Sequence, residues 1–254
     1  MRNIKLTMEY DGTDYVGWQR QTNGLSIQQV IEEAIEEITG ETVKVNGSGR
    51  TDSGVHALGQ TANFLTGTSI PTAKIPAALN SVLPRDIVIK DAQEMPLDFH
   101  ARFSCKAKEY RYQVYNGETP TAIMRRYCYH VPRHLDLDAM AGALKLLEGT
   151  HDFACFKAAG SSVENCVRHI YRAELSKQKD MLQKDMLQKD MLVFTFKGNG
   201  FLYNMVRIMV GTVLQTGMGK RPLENISQLL KARDRTLAGP TVPAKGLFLV
   251  KVYY

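Results

Sequence analysis

Strand-type and helix-type patterns of apolar residues alternate along this sequence, and the alternation limits the chain to a mixed fold. Residues 3–10 alternate apolar and polar side chains, which predicts a half-buried strand. Residues 26–40 carry apolar side chains three and four residues apart, which predicts an amphipathic helix with Ser26 at its start and Gly40 at its end. A similar order of elements returns loosely after residue 103. We therefore predict an α+β fold of two similar α/β halves with a shared, mostly antiparallel mixed sheet flanked by helices.

The two halves are predicted to join near the segment PLDFHAR. The N-terminal half, residues 1–98, would carry a glycine-framed loop around Asp52. The C-terminal half, residues 99–254, would carry a tyrosine-rich strand and an arginine-containing helix. A tandem of KDMLQ within residues 179–192 is interpreted as an expanded hairpin connection, and its role is not evident from the sequence.

Composition and charge narrow the class of protein. Apolar residues make up 44% and charged residues 23% of the chain, and no stretch approaches the ~20 apolar residues of a membrane span. The first residues lack the apolar region of a secretory signal, so a cytoplasmic location without membrane contact is expected. The net charge of +6 suits a polyanionic partner such as RNA, although charge alone does not establish one.

Signatures of bound metals and nucleotide cofactors are absent from the sequence. The four cysteines form no C-x-x-C pair, and the six histidines form no short ligand cluster. The segment GSGRTD lacks the third glycine of a dinucleotide-binding loop, and no phosphate-binding P-loop occurs. We expect neither a metal nor a cofactor.

The loop GSGRTDSGVH is the first candidate site. In extended backbone, residues two apart point the same way, so Arg50 and Asp52 can share one face. An arginine within ~4–6 Å lowers the pKa of an aspartate and keeps it ionised. Asp52 is either the first residue of a self-stabilised Asp-Ser-Gly turn or an exposed nucleophile or base.

Two further features each have a structural and a functional interpretation. Cationic residues alternate with Tyr110, Tyr112 and Tyr115 along CKAKEYRYQVY, a pattern that suits unpaired RNA but also an ordinary strand with buried tyrosines. Arg207 lies in the apolar segment NMVRIMVGTV. It either has a carboxylate partner or extends from the helix edge to water.

The segment GRTDSGVHALGQ resembles the catalytic motif of the tRNA pseudouridine synthase A (TruA) family. Five other segments resemble successive blocks of that family in the expected order: EYDGTDYVGWQRQ, FHARFSCKAKEYRY, GTHDFACF, NMVRIMVGTV and PAKGLFL. The resemblance covers essentially the whole chain. It implies the pseudouridine synthase fold.

The resemblance also implies an activity and a set of site residues. Asp52 matches the essential aspartate, Arg50 the arginine that helps displace the target base, and Tyr110 the tyrosine that stacks on uracil. Arg207 matches the basic residue that pairs with the aspartate, and Leu247 lies in the block that lines the pocket. The implied enzyme is a homodimeric isomerase that converts uridine to pseudouridine at positions 38, 39 and 40 of transfer RNA, without cofactor or metal.

Alternatives remain open at this point. A non-catalytic protein that binds or folds RNA could carry the same basic and aromatic surface. A nucleotide-dependent RNA enzyme would need a phosphate loop that the sequence does not contain. Within the isomerase hypothesis, Asp52 could attack the sugar, attack the uracil ring or remove a sugar proton, and the preference among the three uridines is not given by the sequence.

Overall fold

A computed structural model describes residues 1–160, 163–177 and 190–254 of the chain. Within these residues the fold is a mixture of strands and helices. The strands are β1 (Arg2–Tyr10), β2 (Asn46–Gly47), β3 (His56–Thr66), β4 (Ile87–Met95), β5 (Ala107–Tyr115), β6 (Tyr129–His130), β7 (Gly149–Asp152), β8 (Val167–Lys177), β9 (Met191–Gly198) and β10 (Leu247–Tyr253). The α-helices are α1 (Ile27–Thr39), α2 (Ile75–Val82), α3 (Leu137–Leu147), α4 (Met205–Gly217) and α5 (Asn225–Ala232). Short 3-10 helices occur at Thr72–Lys74, Met124–Arg126, Ala154–Phe156, Arg235–Leu237 and Ala244–Gly246.

The described chain forms two compact units. Unit 1 contains Met1–Lys106 and Phe248–Tyr254, and unit 2 contains Ala107–Leu247. The sequence-based division at residue 98 assigns 99–106 and 248–254 to the C-terminal half, whereas the structure groups both segments with unit 1. The C-terminal segment joins unit 1 because β10 pairs in parallel with the start of β3.

Unit 1 is built on a sheet with the strand order β4, β1, β3, β10. The first three strands are antiparallel, and the short β2 adds to β3. Alternate residues of β1, namely Ile4, Leu6 and Met8, are fully buried, as the period of two predicts. Burying one such side chain contributes roughly 1.5–3 kcal/mol relative to leaving it in water.

Helix α1 begins and ends where the sequence indicates, but only half forms of the capping box that the S-x-x-Q spacing of Ser26 and Gln29 favours. The Ser26 hydroxyl oxygen accepts a hydrogen bond from the Gln29 backbone N–H at 3.3 Å. The Gln29 side chain does not return to Ser26; it donates instead to Glu33 at 2.9 Å. At the other end Gly40 has a φ of +71° and its N–H donates to the Glu36 carbonyl.

Unit 2 is built on the antiparallel strand order β5, β9, β8, β7, and β6 pairs in parallel with β5. Tyr112, Phe194 and Phe196 are fully buried in its core. Strands β8 and β9, which precede and follow the KDMLQ tandem, pair antiparallel as predicted. The tandem itself lies mostly outside the described residues, because 178–189 are not among them.

The predicted fold class, α+β with mostly antiparallel strands and flanking helices, is confirmed. Across the described ranges, no helix is long and apolar enough to cross a membrane.

Candidate active site

Asp52 lies in unit 1, in the loop that connects β2 to β3. We call residues 48–55 the aspartate loop. The Asp52 side chain is half-buried, whereas the Arg50 side chain is exposed. Arg50 makes no hydrogen bond or ion pair with any residue that the structure describes, so the expected Arg50–Asp52 ion pair is not formed. An ion pair of this kind, with one exposed partner, stabilises a protein by at most about 1 kcal/mol, so little free energy is lost when the guanidinium stays in water.

Buried side chains hold the first part of the aspartate loop. The Ser48 hydroxyl donates to the Gln60 side-chain oxygen at 2.7 Å, and the Ser48 backbone N–H donates to the Thr61 carbonyl at 2.8 Å. The Gln60 side-chain nitrogen donates to the Gly49 carbonyl at 3.0 Å. Ser48 and Gln60 are completely buried, so these bonds face no competition from water. The backbone before Arg50 is therefore fixed.

Thr51, directly before Asp52, is anchored by its side chain and its backbone. The Tyr10 and Thr51 hydroxyl oxygens lie 2.8 Å apart in the protein interior. The Thr51 carbonyl accepts a hydrogen bond from the Trp18 backbone N–H at 3.0 Å. Burial raises the pKa of Tyr10 far above its usual value, so the phenol keeps its proton at neutral pH.

A second loop, residues 11–18, packs its backbone directly against the aspartate loop. Gly17 and Asp52 form an isolated antiparallel bridge. Gly17 has a φ of +109°, and a Cβ atom there would lie 2.5 Å from the Thr51 carbonyl oxygen. A Cβ atom at Gly12 would lie 2.0 Å from the Val55 carbonyl oxygen. The glycines of DGTDYVGW therefore allow two backbone segments to touch, which only glycine permits at these positions.

His56, which directly follows the aspartate loop, contacts the second loop, residues 11–18. Its ring is buried and stacks on Phe248, with ring centroids 4.8 Å apart. Its Nδ1 atom lies 3.1 Å from the Gly12 backbone nitrogen and 3.0 Å from an Asp11 carboxylate oxygen. A neutral Nδ1 accepts the Gly12 N–H, and a protonated Nδ1 donates to Asp11, so His56 holds the second loop in either state. These contacts hold residues 11–12 against the start of β3.

Tyr110 and the other tyrosines of the cationic strand lie in unit 2. Tyr110 is 8% exposed, and its ring meets Phe201 edge-on at 5.0 Å between centroids. Tyr112 is fully buried and donates its hydroxyl to the Pro243 carbonyl at 2.7 Å, and Tyr115 is 6% exposed. All three tyrosines are therefore buried, as the inward-packing interpretation of this strand predicts.

Arg207 projects from the first turn of α4 and is half-buried. Its Nε donates to the Val242 carbonyl at 2.8 Å, and one terminal nitrogen donates to the Asn204 side-chain oxygen at 2.6 Å. Asn204 precedes the helix with a φ of +57°. These two bonds within unit 2 fix the plane of the guanidinium.

Leu247, the remaining predicted site residue, is 6% exposed at the start of β10. It follows the 3-10 helix Ala244–Gly246. Just before this 3-10 helix, the Pro243 carbonyl accepts the Tyr112 hydroxyl and the Val242 carbonyl accepts the Arg207 Nε–H. Unit 1 thus holds Arg50 and Asp52 in one loop, and unit 2 holds the other three predicted site residues.

The supporting residues were not predicted as part of the site. Tyr10, Thr51 and Gln60 fix the aspartate loop, and all three lie within the segments EYDGTDYVGWQRQ and GRTDSGVHALGQ that carry the family resemblance. Membership in those segments was their one sequence signal, because the hydrogen bonds that they make to the loop depend on the fold. In the part of the chain that the structure describes, no cluster of three His, Cys, Asp or Glu side chains is able to hold a metal.

A family model described as tRNA pseudouridine synthase matches residues 6–104 and 143–254. This chain belongs to that family. The family prediction from the sequence is thereby confirmed, and with it the prediction of an isomerase that acts on uridine in transfer RNA.

Similar proteins support the assignment over the whole chain. Two relatives named tRNA pseudouridine synthase A, from Acetivibrio thermocellus and Caldicellulosiruptor bescii, are 48% and 49% identical to it, each with full coverage of both chains. A solved chain in a Cbf5–Nop10–Gar1 complex aligns with 83% of this chain and 45% of its own length, at 13% identity and a TM-score of 0.36. That likeness is too weak to support an argument.

Proposed function

We propose that this protein converts uridine to pseudouridine at positions 38, 39 and 40 of transfer RNA, with Asp52 as the catalytic residue. In this isomerisation the bond between uracil N1 and the sugar breaks, and a bond from uracil C5 to the sugar replaces it. The hydrogen on C5 is released, and N1 gains a proton. No atom is added overall, so the reaction needs no co-reactant.

The observation that carries this proposal is the mounting of Asp52. Asp52 is half-buried, while the backbone around it is held by Ser48, Thr51 and the bridge to Gly17. A reacting group held this firmly loses little freedom when substrate binds, and such positioning supplies much of an enzyme's rate. A simple surface turn needs none of these buried anchors.

The other proposed roles follow the family resemblance. A stacked uridine must leave the helix before a carboxylate reaches it, at a cost of a few kcal/mol. The exposed Arg50 guanidinium can fill the gap or hold a phosphate. We assign Tyr110 to the face of the extruded base, Arg207 to the Asp52 carboxylate and Leu247 to the pocket wall.

Three chemical routes are open to the carboxylate: attack on the sugar, attack on the uracil ring, or removal of a sugar proton. Each of them requires the ionised form of Asp52. We also propose that the protein acts as a homodimer, as the family resemblance implies, and in the cytoplasm with its transfer RNA substrate.

The test is chemical mapping of pseudouridine in an unmodified transfer RNA after incubation with the purified protein. We expect pseudouridine at positions 38–40, and none when cytidine replaces these uridines in a matched transcript. Binding without any pseudouridine would favour the non-catalytic RNA-binding alternative. Pseudouridine at other positions only would contradict the assigned substrate sites.

The charge of the chain gives a second test. If lysines and arginines contact phosphates, the affinity for transfer RNA falls steeply between ~50 and ~200 mM salt. An affinity that does not change over this range would contradict electrostatic binding.

A further inference from the structure

An aromatic ring in unit 1 points into water from the loop before β5. We call residues 96–106 the phenylalanine loop. The side chain of Phe103 is 77% exposed, and that of Leu97 in the same loop is 66% exposed. A single exposed apolar residue needs no explanation by itself. Phe103 does need an explanation, because hydrogen bonds hold the backbone of its loop in place and cationic side chains surround it.

Two buried amides hold the phenylalanine loop against the sheet. The Asn3 side chain, 1% exposed, donates to the Pro96 carbonyl at 2.9 Å and to the Phe99 carbonyl at 2.8 Å. The Asn63 side chain, 3% exposed, donates to Asn3 at 2.9 Å and accepts from the Ala101 N–H at 2.9 Å. The two amides bond to each other and together hold the loop backbone at Pro96, Phe99 and Ala101.

Further bonds fix the rest of the loop around Phe103. The Tyr254 hydroxyl donates to the Ala101 carbonyl at 2.9 Å, and the Lys106 N–H donates to the Tyr253 carbonyl at 2.8 Å. Ser104 and His100 exchange two hydrogen bonds across the turn. Since the backbone is anchored on both sides of Phe103, the exposure of the ring is a property of the fold.

The surroundings of the ring are basic and aromatic. The His100 ring lies 4.3 Å from the Phe103 ring, and the Arg102 guanidinium carbon lies 5.8 Å from it. The Lys5 ammonium lies 5.7 Å from the ring of Tyr254. The side chains of Arg102, Lys106 and Lys5 form no ion pair with a carboxylate in the described parts of the chain, and Asp98 is the one acidic residue within 96–106.

We infer that Phe103 is a stacking platform for an unpaired nucleotide of the transfer RNA substrate. Every base has a flat face that stacks on an aromatic ring, and nearby cations bind the adjoining phosphates. Arg102 supplies such a cation beside the ring, and Lys106 at the end of the same loop and Lys5 beside Tyr254 supply two more. This inference rests on the proposed function for the identity of the bound RNA. It adds a contact outside the site that holds Asp52.

The experiment compares three variants by their dissociation constants for unmodified transfer RNA at one salt concentration. Alanine substitution of a stacking aromatic weakens binding about 5- to 150-fold per base, so Phe103→Ala should fall in this range. Phe103→Trp keeps a stacking face and should stay within about threefold of the parent. Leu97→Ala, which removes an exposed apolar side chain from the same loop, should bind like the parent.

Short RNAs and the state of assembly provide the controls. The parent protein should bind a single-stranded RNA better than a duplex of equal charge, and Phe103→Ala should lose this preference. Unchanged transfer RNA affinity for Phe103→Ala would overturn the inference. Equal losses for Phe103→Ala and Leu97→Ala, with a change in oligomeric state by sedimentation, would also overturn it and indicate contact with a second copy of the chain.

Failure of the inference can be distinguished from failure of the proposed function. If the parent forms pseudouridine and Phe103→Ala binds transfer RNA normally, only the stacking platform is wrong. If Phe103→Ala weakens binding as expected and the parent forms no pseudouridine, only the proposed reaction is wrong.

Discussion

Replacement of Gly17 by alanine tests whether the backbone contact between residues 11–18 and the aspartate loop positions Asp52. A Cβ atom at residue 17 would lie 2.5 Å from the Thr51 carbonyl oxygen, about 0.9 Å short of an ordinary 3.4 Å contact. Because Thr51 precedes Asp52, the carboxylate should move by a similar distance. A misplacement of ~1 Å lowers the rate by about 10²-fold, which corresponds to ~2.7 kcal/mol of activation free energy.

The assay is the single-turnover rate of pseudouridine formation at saturating Gly17→Ala enzyme, together with urea denaturation. The positive φ of residue 17 should also lower the free energy of unfolding by ~1–2 kcal/mol, which leaves most molecules folded if the protein has ordinary stability. Gly40→Ala is the matched control, since Gly40 has a φ of +71° and no atom within 4 Å of an added Cβ. It should share the loss of stability and keep the rate. A parental rate for Gly17→Ala would refute the positioning argument.

Three other predictions concern groups within unit 1 or within unit 2. Tyr10→Phe leaves the buried Thr51 hydroxyl without its 2.8 Å partner, so urea denaturation should show a loss of ~1–3 kcal/mol; parental stability would show that the bond contributes nothing. Burial raises the pKa values of Tyr10 and Tyr112 in the folded protein. Above pH ~10 the same two phenols lose their protons in the unfolded chain but keep them in the folded protein. The free energy of unfolding should then fall above that pH by ~1.4 kcal/mol per pH unit for each phenol, and denaturation curves that coincide at pH 9 and pH 11 would contradict this. Arg207→Lys retains the charge but loses the fixed guanidinium plane at Val242, so the single-turnover rate should fall at least about tenfold with little change in transfer RNA affinity, whereas an unchanged rate would exclude a positioning role.

Most of the elements followed from the periodicity of apolar residues, because burial of one face decides both strand and helix patterns. Residues 42–48 are an instructive exception, since their sequence favours a short strand but only Asn46–Gly47 pairs as one. The backbone of Val45, directly before this pair, hydrogen-bonds to side chains of α1 instead of to a strand. The Gln28 amide donates to the Val45 carbonyl, and a Glu32 oxygen accepts the Val45 N–H. These two hydrogen bonds join residues that are 17 and 13 positions apart, so no local sequence pattern predicts them.

The predicted site was only partly accessible to sequence reasoning. Arg50 and Asp52 stood out because residues two apart in extended backbone share one face, but that spacing suggested an ion pair that the exposed Arg50 does not form. The anchors Tyr10 and Gln60 lie in segments that carry the family resemblance, but only the fold shows that they bond to Thr51 and Gly49. Long-range contacts of this kind depend on strand register. The sequence pattern tells which face of a strand is buried, but it does not tell which residue of the neighbouring strand lies opposite.

The catalytic role of Asp52 is tested most directly by tritium release from 5-tritiated uridine in transfer RNA with the variant Asp52→Asn. The amide has nearly the same shape as the carboxylate but cannot act as nucleophile or base. We predict that Asp52→Asn binds transfer RNA with parental affinity and releases no tritium in a single turnover. Release at the parental rate would contradict the account.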